Sequence, residues 1–304
     1  MGVNIRFFIG KGGVGKSTTS ALTALNNAHL GHDTILVSMD PAHNQSDIFQ
    51  RPFTEKPKQV VRNLAVKEID LDYWMATYLK DTQAQLKKAY SYQSAFNIHS
   101  YYKILKYSPG LEEYALLLAF KNTLQTEKKR DNIVFDMPPT ALTMRFFSLP
   151  FISLIWLKAL LKLRGQIYDK KGIISKIKFG KREIERDKVK DRLKSLIDDH
   201  IQLQKYFTAD GTDINLELNN DHLSFQEAIR IRQKLADIGI DIGRILINKV
   251  KNGELLEEIT NQFNGYPICR FPLSSGELYG LQSLKKYTLE IPLFAIPNPV
   301  GEIR

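Results

Sequence analysis

Cysteine is nearly missing from this chain: Cys269 is the single thiol in 304 residues. One thiol excludes an intrachain disulfide and any intrachain Cys-x-x-Cys metal site, and it fits a reducing compartment. Long apolar runs are also scarce. The longest, Phe146 to Leu157, is interrupted by Pro150 and followed by Lys158 and Lys162. That falls short of the roughly 20 residues that cross a bilayer, so no transmembrane helix is expected. The N-terminus has no basic-then-apolar leader, which makes a cytoplasmic protein the expectation. Acidic residues are outnumbered, 33 against 43 lysines and arginines, for a net charge of +10. Much of the surplus lies between Lys158 and Lys205, where fifteen basic residues face seven acidic ones. Such a face can meet an anionic membrane, nucleic acid or an acidic protein. The alternative is a solvated pair of helices, because Glu183, Glu185, Asp187 and Asp191 interleave with the cations. With 43% apolar and 25% charged residues, the chain has enough material for one large α/β domain or a core with a helical subdomain.

What is abundant in one place is glycine. Gly10-Lys11-Gly12-Gly13-Val14-Gly15-Lys16-Ser17 follows the apolar run Val3 to Ile9 and precedes the helix-like Thr18 to Leu30. A strand, a glycine-rich loop and a helix in that order form a phosphate-binding loop. Residues without Cβ let several backbone N–H groups turn inward around a triphosphate. Lys16 then reaches the β and γ phosphates and Ser17 takes one site on Mg²⁺. A second lysine, Lys11, stands where the loop pattern asks for nothing in particular.

Three further runs end like buried parallel strands whose C-terminal loops face a ligand crevice. Thr34 to Ser38 leads into Asp40-Pro41-Ala42-His43-Asn44-Gln45-Ser46-Asp47, Ile133 to Asp136 leads into Met137-Pro138-Pro139-Thr140, and Arg244 to Lys249 contains Asn248. Asp40 is placed beside the phosphates, where a carboxylate can accept the proton of an attacking water. Asp136 fits the second acidic position, which holds Mg²⁺ directly or through water.

The loop with its extra lysine resembles that of the deviant phosphate-loop ATPases, a group that includes nitrogenase iron protein and the positioning and partition ATPases. The Asp40 to Asp47 string narrows this: it resembles the first switch of the arsenical-pump and tail-anchored-protein-targeting ATPases. Residues 136 to 150 resemble that family's second switch, with Ala141-Leu142 in place of its Gly-His pair and Pro138 in place of its alanine. Residues 244 to 249 and 270 to 281 resemble its adenine side.

The resemblance implies a phosphate-loop core with a mainly parallel sheet flanked by helices, in residues of about 1–70, 131–145 and 206–304, and a helical subdomain in about 71–130 and 146–205. It implies ATP as substrate, Mg²⁺ held by Ser17, Asp40 and Asp136, and a nucleotide contact made by Gly10 to Thr18 with Gly12, Gly13, Val14 and Gly15. It implies Asn248, Pro272 and Leu273 against the adenine, and a homodimer in which Lys11 reaches the other subunit's phosphates. The alternative for Lys11 is a solvated lysine. A hydrophobic client segment or a membrane-protein partner follows from the same resemblance. A partition or positioning ATPase using the basic face on DNA or membrane is the alternative function. The zinc clasp of some targeting members needs a Cys-x-x-Cys that is absent here, so no zinc is expected, and Cys269 alone cannot supply the several thiolates that bind arsenite.

Four local expectations complete the reading. Ile152, Ile155, Trp156, Ala159, Leu160 and Leu163 form an apolar stripe at helical spacing, for burial between helices or for a client. Thr212 to Asn219 alternates polar and apolar, as a half-exposed strand does, where the family usually has a more apolar one. Ser224-Phe225-Gln226-Glu227 reads as a capping box. The aromatics Tyr90, Tyr92, Phe96, Tyr101, Tyr102 and Tyr107 are assigned to helix packing.

Overall fold

In the computed structural model, which describes residues 3–42, 44–89, 108–179, 187–251 and 255–290, the chain is arranged around its first strand, β1 (Asn4–Gly10). Ile5, Phe7 and Ile9 belong to the core on one face of the sheet and Phe8 to the core on the other. Both faces being covered is what a central parallel strand requires. Phe7 is the hub of an aromatic cluster. Phe135 stacks on it with centroids 5.2 Å apart, and Phe120, Phe146, Phe147 and Phe207 close around it at 5.2–6.3 Å. Aromatic contacts of this kind add about 0.5–1.5 kcal/mol each beyond burial, so the cluster fixes β1 firmly.

From β1 the chain passes through α1 (Lys16–His29), β2 (Thr34–Ser38), α2 (Asn44–Phe49), β3 (Lys58–Val61), β4 (Leu64–Glu68), α3 (Leu71–Ala89) and α4 (Leu111–Thr126). It continues through β5 (Asn132–Asp136), α5 (Thr140–Phe179), α6 (Lys188–Phe207), β6 (Thr212–Asn219) and α7 (His222–Ala236). The last elements are β7 (Arg244–Val250), α8 (Glu257–Gln262), β8 (Ile268–Pro272) and α9 (Gly280–Glu290). The strands form one eight-stranded sheet in the order β3-β4-β2-β5-β1-β6-β7-β8. All pairs are parallel except the β3–β4 edge. This is the expected mainly parallel α/β sheet with helices on both faces; the antiparallel edge strand β3 left no readable pattern in the sequence. After β1 the chain moves to one side of the sheet, and from β6 onward it builds the other. The C-terminal end of β1 is therefore the topological switch point where such sheets bind ligands. Helix α4 and Leu203 of α6, placed in the helical part on sequence grounds, contribute Ala115, Leu116, Ala119, Phe120 and Leu203 to the main core beside Phe207.

Four sequence expectations are corrected. Strand β6 is not half-exposed: it lies between β1 and β7, and its polar residues Asp213, Asn215 and Glu217 are all buried. Its period of two reflects two buried faces of different polarity. The cap of α7 is not Ser224 but Asp221, whose carboxylate accepts from Ser224 N at 2.8 Å, while Ser224 Oγ accepts from Asn219 N at 2.9 Å. Pro150 does not end the apolar stretch; it sits inside α5. The helix over Thr140–Tyr168 is, by length and composition, long and apolar enough to cross a membrane, with a mean hydropathy of 1.7. Its first turns join the core on the sheet through Met144, Phe146 and Phe147, and Leu154 further on is buried. Finally, the stripe on α5 is not buried between helices: Ile152, Ile155, Trp156, Leu160 and Leu163 are exposed, Ile155 by 72% and Trp156 by 68%. The tyrosine-rich run from Tyr90 to Tyr107 lies outside the described residues.

Candidate nucleotide and phosphate site

The loop between β1 and α1 is shaped by what surrounds its glycines. At Gly10 (φ 151°) a Cβ would lie 2.3 Å from the Glu217 carbonyl oxygen, and at Gly15 (φ 114°) it would lie 2.1 Å from Asn248 Nδ2. Both positions combine a left-handed backbone with a wall of other strands, so only glycine fits. Gly12 is different: a Cβ there meets nothing within 4 Å. The chain itself does not demand glycine at that point.

Lys16 opens α1 and is 6% exposed, with its Nζ donating to Lys11 O at 3.3 Å. Lys11 is exposed at the loop's outer rim. Beneath the loop, the Ser17 hydroxyl bonds the Asp136 carboxyl, which is fully buried at the end of β5. Burial pushes Asp136 up to about 6, against the pull of Gln45, Ser17 and Lys16. Its Oδ1 has no hydrogen-bond partner. Asp40, 8% exposed, accepts from Ala42 N at 3.0 Å and from Asn44 Nδ2 at 3.3 Å. Those bonds shape the turn that follows; two of the carboxylate's roughly four acceptor positions remain. His43 lies outside the described residues.

Four residues that the sequence did not single out join the site. Gln45, the unspecified position of the first-switch string, is fully buried, and its Nε2 lies within 2.9 Å of both Ser17 O and Asp136 Oδ2. It ties the switch to the loop and to β5 at once. Thr19 and Glu217 meet below the loop, with Thr19 Oγ1 and Glu217 Oε2 2.5 Å apart. Lys249, at φ 56°, donates from Nζ to Gly13 O at 3.0 Å. None of the four carried a local signal: Glu217 alternates with Asp213 and Asn215 as an outward-facing strand position would.

Asn248 is turned toward the loop. Its Nδ2 donates to Val14 O at 2.8 Å and to Glu217 Oε1 at 3.2 Å, and its Oδ1 accepts from Lys249 N at 2.8 Å. Beyond it, a cleft of about 290 Å³ is lined by Gly15, Thr18, Asn248, Lys249, Pro272 and Leu273, among others. The structure thus brings Gly10–Thr18, Asp40, Asp136, Asn248, Pro272 and Leu273 to the C-terminal edge of one sheet. Among the described residues no group of three or more His, Cys, Asp or Glu side chains gathers as a metal cage. Magnesium carried in with phosphates needs only one or two carboxylates and a hydroxyl. The partnerless buried oxygen of Asp136 beside Ser17 fits that demand.

The family model for anion-transporting ATPases matches residues 3–292. The chain is 29% identical over 311 residues to a putative arsenical pump-driving ATPase 2 of Aquifex aeolicus, covering 96% of this chain and all of that one. It is 32% identical over 254 residues to an ATPase ASNA1 homolog of Plasmodium vivax, over 82% of this chain and 64% of the relative. It is 26% identical over 312 residues to the ATPase GET3 of Komagataella phaffii, over 93% of this chain and 88% of the relative.

Proposed function

The chain belongs to the anion-transporting ATPase family, and from that premise we propose that it is a cytoplasmic, Mg²⁺-dependent ATP hydrolase. On this reading it works as a nucleotide-sandwiching homodimer and couples hydrolysis to holding and releasing an apolar client segment or a membrane-protein partner. The observation that carries the reading is a single helix with two ends. α5 begins at Thr140, whose hydroxyl donates to Gly10 O of the loop at 3.4 Å, and it goes on to the exposed stripe Ile152, Ile155, Trp156, Leu160 and Leu163. On this reading a shift at the phosphates reaches that face along α5, with Pro150 as the point where the helix can bend.

The chain's own residues divide the work. Lys16 and the loop amides hold the phosphates, Ser17, Asp40 and Asp136 would hold Mg²⁺, and Asp40 orients the attacking water and takes its proton. Bound Mg²⁺ supplies charge neutralisation of the transferring phosphoryl group. In the cleft, Pro272 and Leu273 face the base. With both Nδ2 hydrogens of Asn248 engaged, the spare lone pair on Oδ1 suits a donor such as the adenine amino group. Lys11 acts in trans. Arsenite as an activator is disfavoured, because the one thiol, Cys269, is buried. The alternative as a partition or positioning switch loses ground to the relatives' names, which are those of pump-driving and ASNA1 or GET3 ATPases.

The test is recovery of partners with Asp40→Asn. Removal of the water's base slows turnover by about 10² to 10⁴, so ATP and partner stay on. An apolar peptide or membrane protein should accompany that variant and leave on exchange into nucleotide-free buffer. Recovery of nucleic acid alone would move the assignment to the partition class.

A further inference from the structure

A carboxyl group that the reaction above does not use lies directly beneath the phosphate loop. Glu217 on β6 is 1% exposed and pairs in register with Gly10, the last residue of β1. Its Oε2 lies 2.5 Å from Thr19 Oγ1 in the first turn of α1, and its Oε1 lies 3.2 Å from Asn248 Nδ2 at the end of β7. The same Oε1 would be 3.0 Å from a Cβ on Gly15. It touches both halves of the cleft at once: the helix that follows the phosphate loop, and the strand that carries the base-side residues.

Burial and partners set its protonation: the carboxyl is 1% exposed, and its hydrogen-bond partners, Thr19 and Asn248, are both uncharged. Thr19 Oγ1 has one hydrogen and three oxygens in reach: Gly15 O at 3.3 Å, Lys16 O at 3.1 Å and Glu217 Oε2 at 2.5 Å. An ionised carboxylate would accept that hydrogen and remain a buried charge whose hydrogen-bond partners are both neutral. A neutral acid avoids that charge: Glu217 O–H donates to Thr19 Oγ1, Thr19 donates to a helix carbonyl, and Glu217 Oε1 still accepts from Asn248. Every hydrogen then has an acceptor.

We propose that Glu217 is a positioning residue that joins the phosphate loop to the base-side strand as an uncharged acid, so that nucleotide binds with its proton in place and is repelled when the proton leaves. The inference rests on the nucleotide seat proposed above. The charged groups that face Glu217 are Lys16 from the loop and Asp136 from β5. Burial pushes Glu217 up to about 8; the bonds from Thr19 and Asn248 and the charge of Lys16 offset this only in part. The sign follows. Below about 8 the group is neutral and adds no charge near the phosphates. Above it, a buried anion lies one layer behind a polyanion, and affinity falls by up to about tenfold per pH unit until the complex itself loses the proton.

The test is the dissociation constant of a fluorescent, non-hydrolysable ATP analogue with Mg²⁺, measured from pH 6.5 to 9.5 by anisotropy. Wild type should weaken about tenfold or more between pH 7 and 9.5. Glu217→Gln has an N–H donor where the acid has its O–H, and should hold the pH 7 affinity throughout. Equal slopes in the two proteins, or a flat wild-type profile, would overturn the proposal. An analogue that fails to bind at any pH would remove the nucleotide seat itself, a distinct result. Should Glu217→Gln not fold, the wild type alone decides: the infrared carbonyl band of a buried neutral carboxylic acid should vanish as pH rises through about 8. Absence of that band at pH 6.5 would sink the assignment.

Discussion

Lys11 and Lys16 share one loop but have opposite surroundings, the first exposed and the second 6% exposed. A cation buried beside the phosphates serves binding, whereas an exposed one at the rim contributes little unless something covers it. Lys11→Ala should therefore keep nucleotide affinity within a few-fold. A charge supplied in trans is worth about 10³ to 10⁵ in rate, so turnover should fall by at least a few hundredfold. Paired equilibrium binding and steady-state hydrolysis measure both; unchanged turnover would return Lys11 to a solvated lysine. At this scale the sequence was informative for residues whose chemistry belongs to a loop motif. Gln45 and Glu217 escaped it because their roles come from contacts 91 and 198 residues away, with Asp136 and Thr19. No local spacing encodes those.

Among the elements, α5 combines two environments. Phe146 and Phe147 are fully buried in the sheet core, while the stripe from Ile152 to Leu163 stands in solvent. Replacing a buried phenylalanine there costs about 3–5 kcal/mol, because a cavity is left behind. The double change Ile155→Ser with Trp156→Ser leaves no cavity and should move stability by less than about 1 kcal/mol. It should also lower the capture of an apolar helical peptide by about tenfold or more, read by fluorescence titration. Equal capture would take the client face away from this helix. The periodicity of 3.6 located the stripe correctly, but whether a stripe is covered depends on what else packs there. The neighbours of α5 include α4, where Tyr114 Oη and Ser153 Oγ lie 3.2 Å apart, and α6, whose capping residue Asp187 pairs with Arg164 at 3.0 Å. Neither contact covers the stripe, which stays exposed among the described residues. The Arg164–Asp187 pair joins one base to one acid of 158–205 and so leaves the net surplus of that segment unchanged.

For the whole molecule, Lys11 is exposed among the described residues, and the proposed trans role requires a second copy over it. Sedimentation or light scattering should show a monomer or loose pair without nucleotide. With saturating non-hydrolysable analogue and Mg²⁺ the mass should double. A mass that stays monomeric would reduce the chain to a nucleotide binder without the dimer mechanism.

The sequence by itself determined the phosphate loop, the strands that flank it and the class of the sheet. Each is written in short-range information: glycines where Cβ cannot fit, and apolar runs at strand length. Only the tertiary structure decided that β6 is buried on both faces, that Glu217 stands behind the loop, and that the α5 stripe faces water. Those outcomes depend on which distant strand or helix becomes the neighbour. A parallel sheet sets its neighbours by crossovers rather than by adjacency in sequence.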